Sequence, residues 1–364
     1  GCPGTVTPLP GRARRGFGYV PGLLGDRVGT FLADREGAAG MGDWVGGVGV
    51  GICAAGRGYF DRPAVAVMAA ALPEDSFCTV PRIGALGEPL GAGLTAWIDR
   101  VSPAFGIVHG DSSTPETPAI VEALGQAASS FLVGGLTSSR GPDFQVADRV
   151  TEGGVSGVLF APDVEVATGL TQGCAPVGPS HLITEGEGNI IVRLDRRRAL
   201  DVLEEDLGEP VAEDPGRIAG TIHAAFPVEG SDTGDYVVRN LIGIDSDRGW
   251  LAVGGQERTG ERVMFVARDA KSAEADLAAM LEKLKNRISG RPRGGVYISC
   301  IARGPALFDS ADSEAAMIRD VLGEFPLIGF YANGEISNAR LYTYTGVLTL
   351  VVQSAKKEGR KTEE

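Results

Sequence analysis

Two stretches of this chain, about 190 residues apart, present the same elements in the same order. In each, short apolar runs alternate with amphipathic segments. In the first, residues 45–54 (VGGVGVGICA) and 64–72 (AVAVMAAAL) read as buried strands, followed by a short helix at 94–101. A strand at 104–109 (AFGIVH) then leads to a helix at 115–129, opened by Ser/Thr caps, and to strands at 131–135, 155–160 and 164–171. In the second, strands at 250–254 and 262–268 precede a Glu/Lys-rich helix at 270–286. A strand at 295–301, a helix at 312–322 and strands at 326–331 and 341–352 follow.

Landmark glycines repeat with the elements: Gly110 and Gly304 are 194 residues apart, Gly134 and Gly329 195, Gly157 and Gly346 189. The pattern predicts an α/β fold with mixed sheets, built as two similar ββαβαββ units that arose by internal duplication and pack together. Between them lie a hairpin-like run at 181–195, a helix at 198–207 and a Pro/Gly/Asp-rich link at 209–217. The domain division is expected near residue 198, giving 1–198 and 199–364.

Glycine is the unusual component, 54 of 364 residues, about twice the usual roughly 7%. With no G-X-Y period, these glycines belong to turns and to strands that another backbone approaches closely. Hydrophobic residues at 43% and charged ones at 22% suit a chain that buries a core. The net charge of −13 repels phosphate backbones and anionic headgroups, so neither nucleic acid nor a membrane surface is the expected partner. The five cysteines are widely spaced without a C-x-x-C pair, which fits buried reduced thiols rather than a zinc ribbon or disulfide framework. The N-terminal basic residues are not followed by an apolar core, and no uncharged run is long enough to span a bilayer, so a cytoplasmic protein is expected.

Standard catalytic signatures are missing from the sequence: H-E-x-x-H, G-x-x-x-x-G-K-[ST] and G-x-S-x-G do not occur. Gly49, Gly51 and Ala54 match the loosest dinucleotide pattern, but residues 57–63 lead into another strand where that fingerprint needs a helix. His109, His181 and His223 are too far apart in sequence to suggest a shared metal site. The acidic pairs Glu204/Glu205 and Asp312/Glu314 read as solvated helix faces. No catalytic residue is assigned.

Several strings resemble a known family. In the C-terminal half these are YVVRNLIGID (236–245), ISCIARG (298–304), PLIGFYANGEIS (326–337) and YTYTGVL (342–348). In the N-terminal half they are FLVGGLTSS (131–139), the run 154–179 and LITEGEGNIIVRLDRRRALDVLEED. Together they resemble the FIST N-terminal and C-terminal domains over residues 43 to 352. The first forty residues lack the strand–helix start of that pattern. The resemblance implies an intracellular sensory module that binds a small ligand, amino acids having been proposed, and relays the signal to a downstream protein. Some relatives bind haem and respond to nitric oxide. No output segment follows the second half, so a complete chain is expected to act as a stand-alone binding protein.

Duplicated α/β units place ligands between their halves near strand ends. Here those ends carry His109, Gly134, Gly135 and Thr137 in the first half, and Cys300, Arg303, Asn333 and Glu335 in the second. An amino acid needs a cationic fork for its carboxylate and an acceptor for its ammonium. Arg303 and Glu335 supply that pair, and Arg239 is a second candidate clamp. The alternative is an Arg303–Glu335 ion pair that only braces two loops. Asn333-Gly334 also reads as a two-residue hairpin turn that would present Glu335. Cys300 reads as core, with a reactive thiol beside Arg303 as the alternative. His109 is the candidate axial ligand should haem be bound. Three functions follow: a non-catalytic small-ligand sensor, a haem-based gas sensor, or an enzyme using Cys300 or the Arg303/Glu335 pair.

Overall fold

The computed structural model describes residues 15–21, 43–211, 215–231, 234–255 and 259–352. The N-terminal basic stretch at 1–14, Cys2, residues 212–214 of the link at 209–217 and the charged tail at 354–364 lie outside the described residues. The chain is mixed α/β, as the periodicity predicts, and divides into two compact units. Unit 1 holds the chain up to Leu170, Ala278–Leu341 and the part from Gly346. Unit 2 holds Thr171–Leu277 and the short insert Tyr342–Thr345.

Unit 1 contains two six-stranded sheets of the same strand order. At the centre of each is a parallel pair bridged by a helix. In one, Phe105–Gly110 and Phe131–Leu136 flank the helix Thr117–Ala128. In the other, Gly294–Cys300 and Leu327–Ala332 flank the helix Ser313–Leu322. FGIVHG and LIGFYA are buried throughout, as expected of strands covered on both faces. Val155–Phe160 and Thr345–Val351 extend the sheets antiparallel to the first strand of each pair. Phe77–Ile83 and Val166–Gln172 close that side.

The opposite edges are exchanged between halves of the sequence. The hairpin Gly51–Ala54 and Arg57–Phe60 pairs with Leu327–Ala332, whereas Glu335–Ser337 and Arg340–Tyr342 complete the sheet of Phe131–Leu136. Neither ββαβαββ stretch therefore builds a sheet by itself. This exchange also corrects the hairpin expected at Asn333-Gly334. The strands on either side belong to different sheets, so the dipeptide is a crossover, with Gly334 at φ +138.

Two predicted single strands divide in the same way. Residues 45–54 split at Val50 into Asp43–Gly49 and Gly51–Ala54, in different sheets. Residues 341–352 split around Tyr344 (φ +64) into Arg340–Tyr342 and Thr345–Val351. The helix at Thr117 begins at Glu116 without a side-chain cap; Thr117 Oγ1 instead donates to Asp111 O at 2.8 Å. A strand unmarked in the sequence, Arg15–Pro21, runs parallel to Asp43–Gly49 within a further five-stranded sheet.

Side-chain alternation sets the core. Ile107, Val133, Val158, Val296, Ile298, Phe330 and Val347 meet in one apolar cluster. Their neighbours Val108, Leu132 and Leu159 face the helices Ala92–Val101 and Thr117–Ala128.

Unit 2 is an antiparallel ring. His181–Glu187, Ile190–Leu194, Trp250–Val253, Tyr236–Asp245, Ile222–Pro227 and Arg262–Arg268 pair in turn, and the last returns to the first. The helix Ala199–Leu207 supplies Leu200 and Leu203 to its core with Ile191, Leu251 and Phe265. His181 sits between Asp195 (2.7 Å from Nδ1) and Asp206 (3.0 Å from Nε2), tying the hairpin to that helix. Among the described residues, no helix is long and apolar enough to cross a membrane.

Candidate functional site

The strand Gly294–Cys300 is apolar on the side facing the core, but its other face carries Tyr297 and Ser299. Both donate to Glu314, in the first turn of Ser313–Leu322: Tyr297 OH to Oε1 at 2.6 Å and Ser299 Oγ to Oε2 at 2.8 Å. The strand ends at Cys300, and the chain then turns sharply. Ile301 N donates to Ala332 O at 2.9 Å and Arg303 N to Cys300 O at 2.8 Å. Gly304 follows at φ +29, where a Cβ would lie 2.8 Å from the Tyr331 ring. This turn sends the Arg303 side chain back into the protein, where Nε donates to Glu314 Oε1 at 2.8 Å and the guanidinium lies over Phe308.

Arg303 is 0% and Glu314 1% exposed. A buried pair of this kind must be fully hydrogen-bonded to offset its desolvation. On the Glu314 side it is, with three donors. On the Arg303 side, Nη1 and Nη2 are buried with no hydrogen-bond partner, although guanidinium is a five-donor fork suited to planar anions.

Burial opposes the charge of Arg303, but Glu314, Tyr297 and Glu335 together outweigh it and raise its pKa. Burial and then the Glu314 charge push the Cys53 thiol up to about 12, and the same two causes raise the Tyr297 and Tyr331 phenols. The surroundings of the guanidinium are thus negative and hold their other titratable groups neutral.

The strand ends of the two sheets meet beside this centre. Leu136 N donates to Gly334 O at 2.8 Å and Asn333 N to Leu136 O at 3.0 Å. Glu335, fully buried, stands opposite Gly135 in the ladder. Asn333 is exposed, whereas Thr137 is buried and its Oγ1 donates to Gly110 O at 3.1 Å. The glycines serve packing here. A Cβ on Gly134 would lie 1.8 Å from Val108 O, and one on Gly135 2.7 Å from Ile298 Cγ2. Cys300 is buried at the end of its strand, opposite Ala332. Arg239 is in unit 2, half-buried, donating from Nη1 to Val238 O at 3.1 Å.

His109 does not fit a haem ligand. It is fully buried, Nε2 is 3.0 Å from Tyr19 OH, and the ring packs against Tyr19 and Phe330. Burial lowers its pKa to about 3. Nδ1 has no hydrogen-bond partner, and Gly47 packs beside the ring, its Cβ position 3.8 Å from the imidazole.

Sequence reasoning missed Glu314, Tyr297 and Ser299. The expectation that Asp312 and Glu314 share a solvated helix face is half right. Asp312 is exposed and accepts from Gly58 N at 2.7 Å, while Glu314 is the buried partner of Arg303. The available signal was the two-residue spacing of Tyr297 and Ser299 in an otherwise apolar strand.

Residues 30–197 match the FIST N domain and residues 199–338 the FIST C domain. The uncharacterized protein MT0656 of Mycobacterium tuberculosis is 30% identical over 356 residues, covering 91% of this chain and 90% of that protein. The uncharacterized protein Mb0898c of Mycobacterium bovis is 29% identical over 324 residues, covering 85% and 82%. With both domains in order over most of its length, the chain belongs to the FIST family, whose domains are associated with sensory signal transduction.

Proposed function

We propose that this chain is a sensory protein that takes up a small carboxylate-bearing ligand, an amino acid, at Arg303 and relays its presence to a downstream signalling protein. The observation that carries this reading is the half-used guanidinium: Nε is engaged by Glu314, while Nη1 and Nη2 are buried and without a partner. A ligand carboxylate satisfies both with two parallel hydrogen bonds. Glu335 accepts the ligand ammonium, and Asn333 at the crossover contributes its amide. The common strand order of the two sheets supports the duplication we propose for the fold, with the site where their strand ends meet.

Because Arg303 is closed off from solvent, the turn at Ile301–Gly304 must yield for the ligand to bind. Thermal or chemical denaturation in the presence of each amino acid tests the proposal. A ligand at about a hundred times its Kd adds about 2.7 kcal/mol of stability, and Arg303→Met should abolish the gain. Absence of stabilisation by every amino acid at millimolar concentration overturns it.

A further inference from the structure

We infer, resting on the ligand site just proposed, that its ligand is an aromatic amino acid whose ring takes the place of Phe308 against the Arg303 guanidinium. Phe308 belongs to the turn that must yield. It follows the one-turn helix Gly304–Leu307, and its N–H donates to Gly304 O at 2.9 Å. Pro305, Ala306, Asp309 and Ser310 on either side are exposed and Leu307 is half-buried, whereas Phe308 is 3% exposed. One buried aromatic side chain in an exposed run is the anchor that holds the run down. Its ring lies 5.3 Å from Arg303 Cζ, a cation–π contact of the kind that strengthens away from water.

Opening the turn strips the guanidinium of this aromatic neighbour as its two Nη groups become accessible. A ligand with a carboxylate and an aromatic ring supplies both needs at once. The carboxylate bridges Nη1 and Nη2, and the ring restores the contact that Phe308 gives up. The rest of the surroundings suit a ring. The Cβ position of Gly304 is 2.8 Å from Tyr331 and 3.4 Å from Phe60, and those two rings meet edge to face at 5.0 Å. A second carboxylate on the ligand is poorly served. Tyr297, Tyr331 and Cys53 are held neutral and offer it no positive charge, so it would lie unpaired away from water. Selection of this kind works by rejecting the wrong ligand as well as by holding the right one.

Isothermal titration of the full-length protein with L-phenylalanine, L-tyrosine, L-leucine and L-glutamate tests the ligand class. Phenylalanine and tyrosine are expected to bind at least fivefold tighter than leucine, with glutamate weakest. Hydrogen exchange tests the displacement. Saturating phenylalanine should speed exchange of the Leu307 and Phe308 amides, whose bonds to Arg303 O and Gly304 O break as the turn opens. Phe308→Ala removes the competing ring and should tighten phenylalanine binding at least fivefold. If that variant does not fold, Phe308→Leu is expected to shift affinity in the same direction by a smaller factor. Leucine or glutamate binding as tightly as phenylalanine overturns the aromatic class and leaves the site standing. Exchange that is unchanged or slowed, or affinity that does not rise in a folded Phe308 variant, overturns the displacement. If none of the four binds but another amino acid stabilises the protein, this inference fails alone; if no amino acid does, the site fails with it.

Discussion

Glu335 lies directly opposite Gly135 in an antiparallel ladder, although the two are 200 residues apart in the chain. Its short strand completes a sheet whose central strands come from the first half of the sequence. The hairpin Gly51–Ala54 and Arg57–Phe60 does the reverse. A fragment of residues 1–198 or 199–364 therefore leaves a sheet edge uncovered, and exposed edges of this kind aggregate. We expect each fragment alone to be unfolded or aggregated, and the two co-expressed to form a one-to-one complex with native-like circular dichroism. A monomeric, cooperatively folded 1–198 fragment on size exclusion contradicts this.

Gly134 sits at φ +154, and its Cβ position is 1.8 Å from Val108 O on the adjoining parallel strand. Gly329 makes the matching approach to Tyr297 O at 1.6 Å. The obstacle is backbone in both cases and cannot swing aside. Gly134→Ala should cost more than about 3 kcal/mol in urea denaturation, well above the usual single-substitution effect.

Glu314→Ala removes the carboxylate from a fully buried Arg303 and leaves Tyr297 OH and Ser299 Oγ without their acceptor. Breaking one side of a buried pair costs about 3–5 kcal/mol. Glu314→Gln keeps an acceptor oxygen but loses the charge, and should fall between Glu314→Ala and wild type in denaturant midpoint.

Acid should weaken the protein before its carboxylates titrate. His109 has its pKa lowered by burial to about 3 in the folded chain, against about 6.5 in the unfolded one. The unfolded state therefore binds the extra proton first, and stability present above pH 6.5 is lost as the pH falls toward 3. At pH 5 this one group accounts for about 2 kcal/mol. His223, lowered to about 4 by burial and by the charge of Arg268, acts in the same direction. Urea midpoints at pH 7.5, 6 and 5 should fall steadily, with a shallower decline in His109→Gln.

The central strands are legible because their residues state their own burial. FGIVHG and LIGFYA have no polar face, so a doubly covered strand is the only economical placement. The convergence at Arg303 and Glu335 is legible in outline, since glycines and polar residues gather at strand ends. What escapes a linear reading is non-local. Asn333-Gly334 has the chemistry of a hairpin turn, but the partner of Glu335 is Gly135 and not the strand just before it. Glu314 looks like any first-turn acid on a polar helix, and its burial is decided by Arg303, Tyr297 and Ser299 on other elements. The strand Arg15–Pro21 carries little apolar pattern of its own and is held by ladders to Asp43–Gly49 and Ala66–Ala70.

The ring of unit 2 also limits how a downstream protein can attach. Each of its six strands finds a neighbour on either flank within the ring, and the short strands Cys174–Pro176 and Arg197–Arg198 add to Arg262–Arg268 and Ile190–Leu194, so the described residues offer an incoming peptide short edges rather than a long open strand to zip onto. A companion that recognises this unit then reads chiefly side chains on its outer wall or its loops. Such contact is easier to release than an added strand, which suits the relay proposed above.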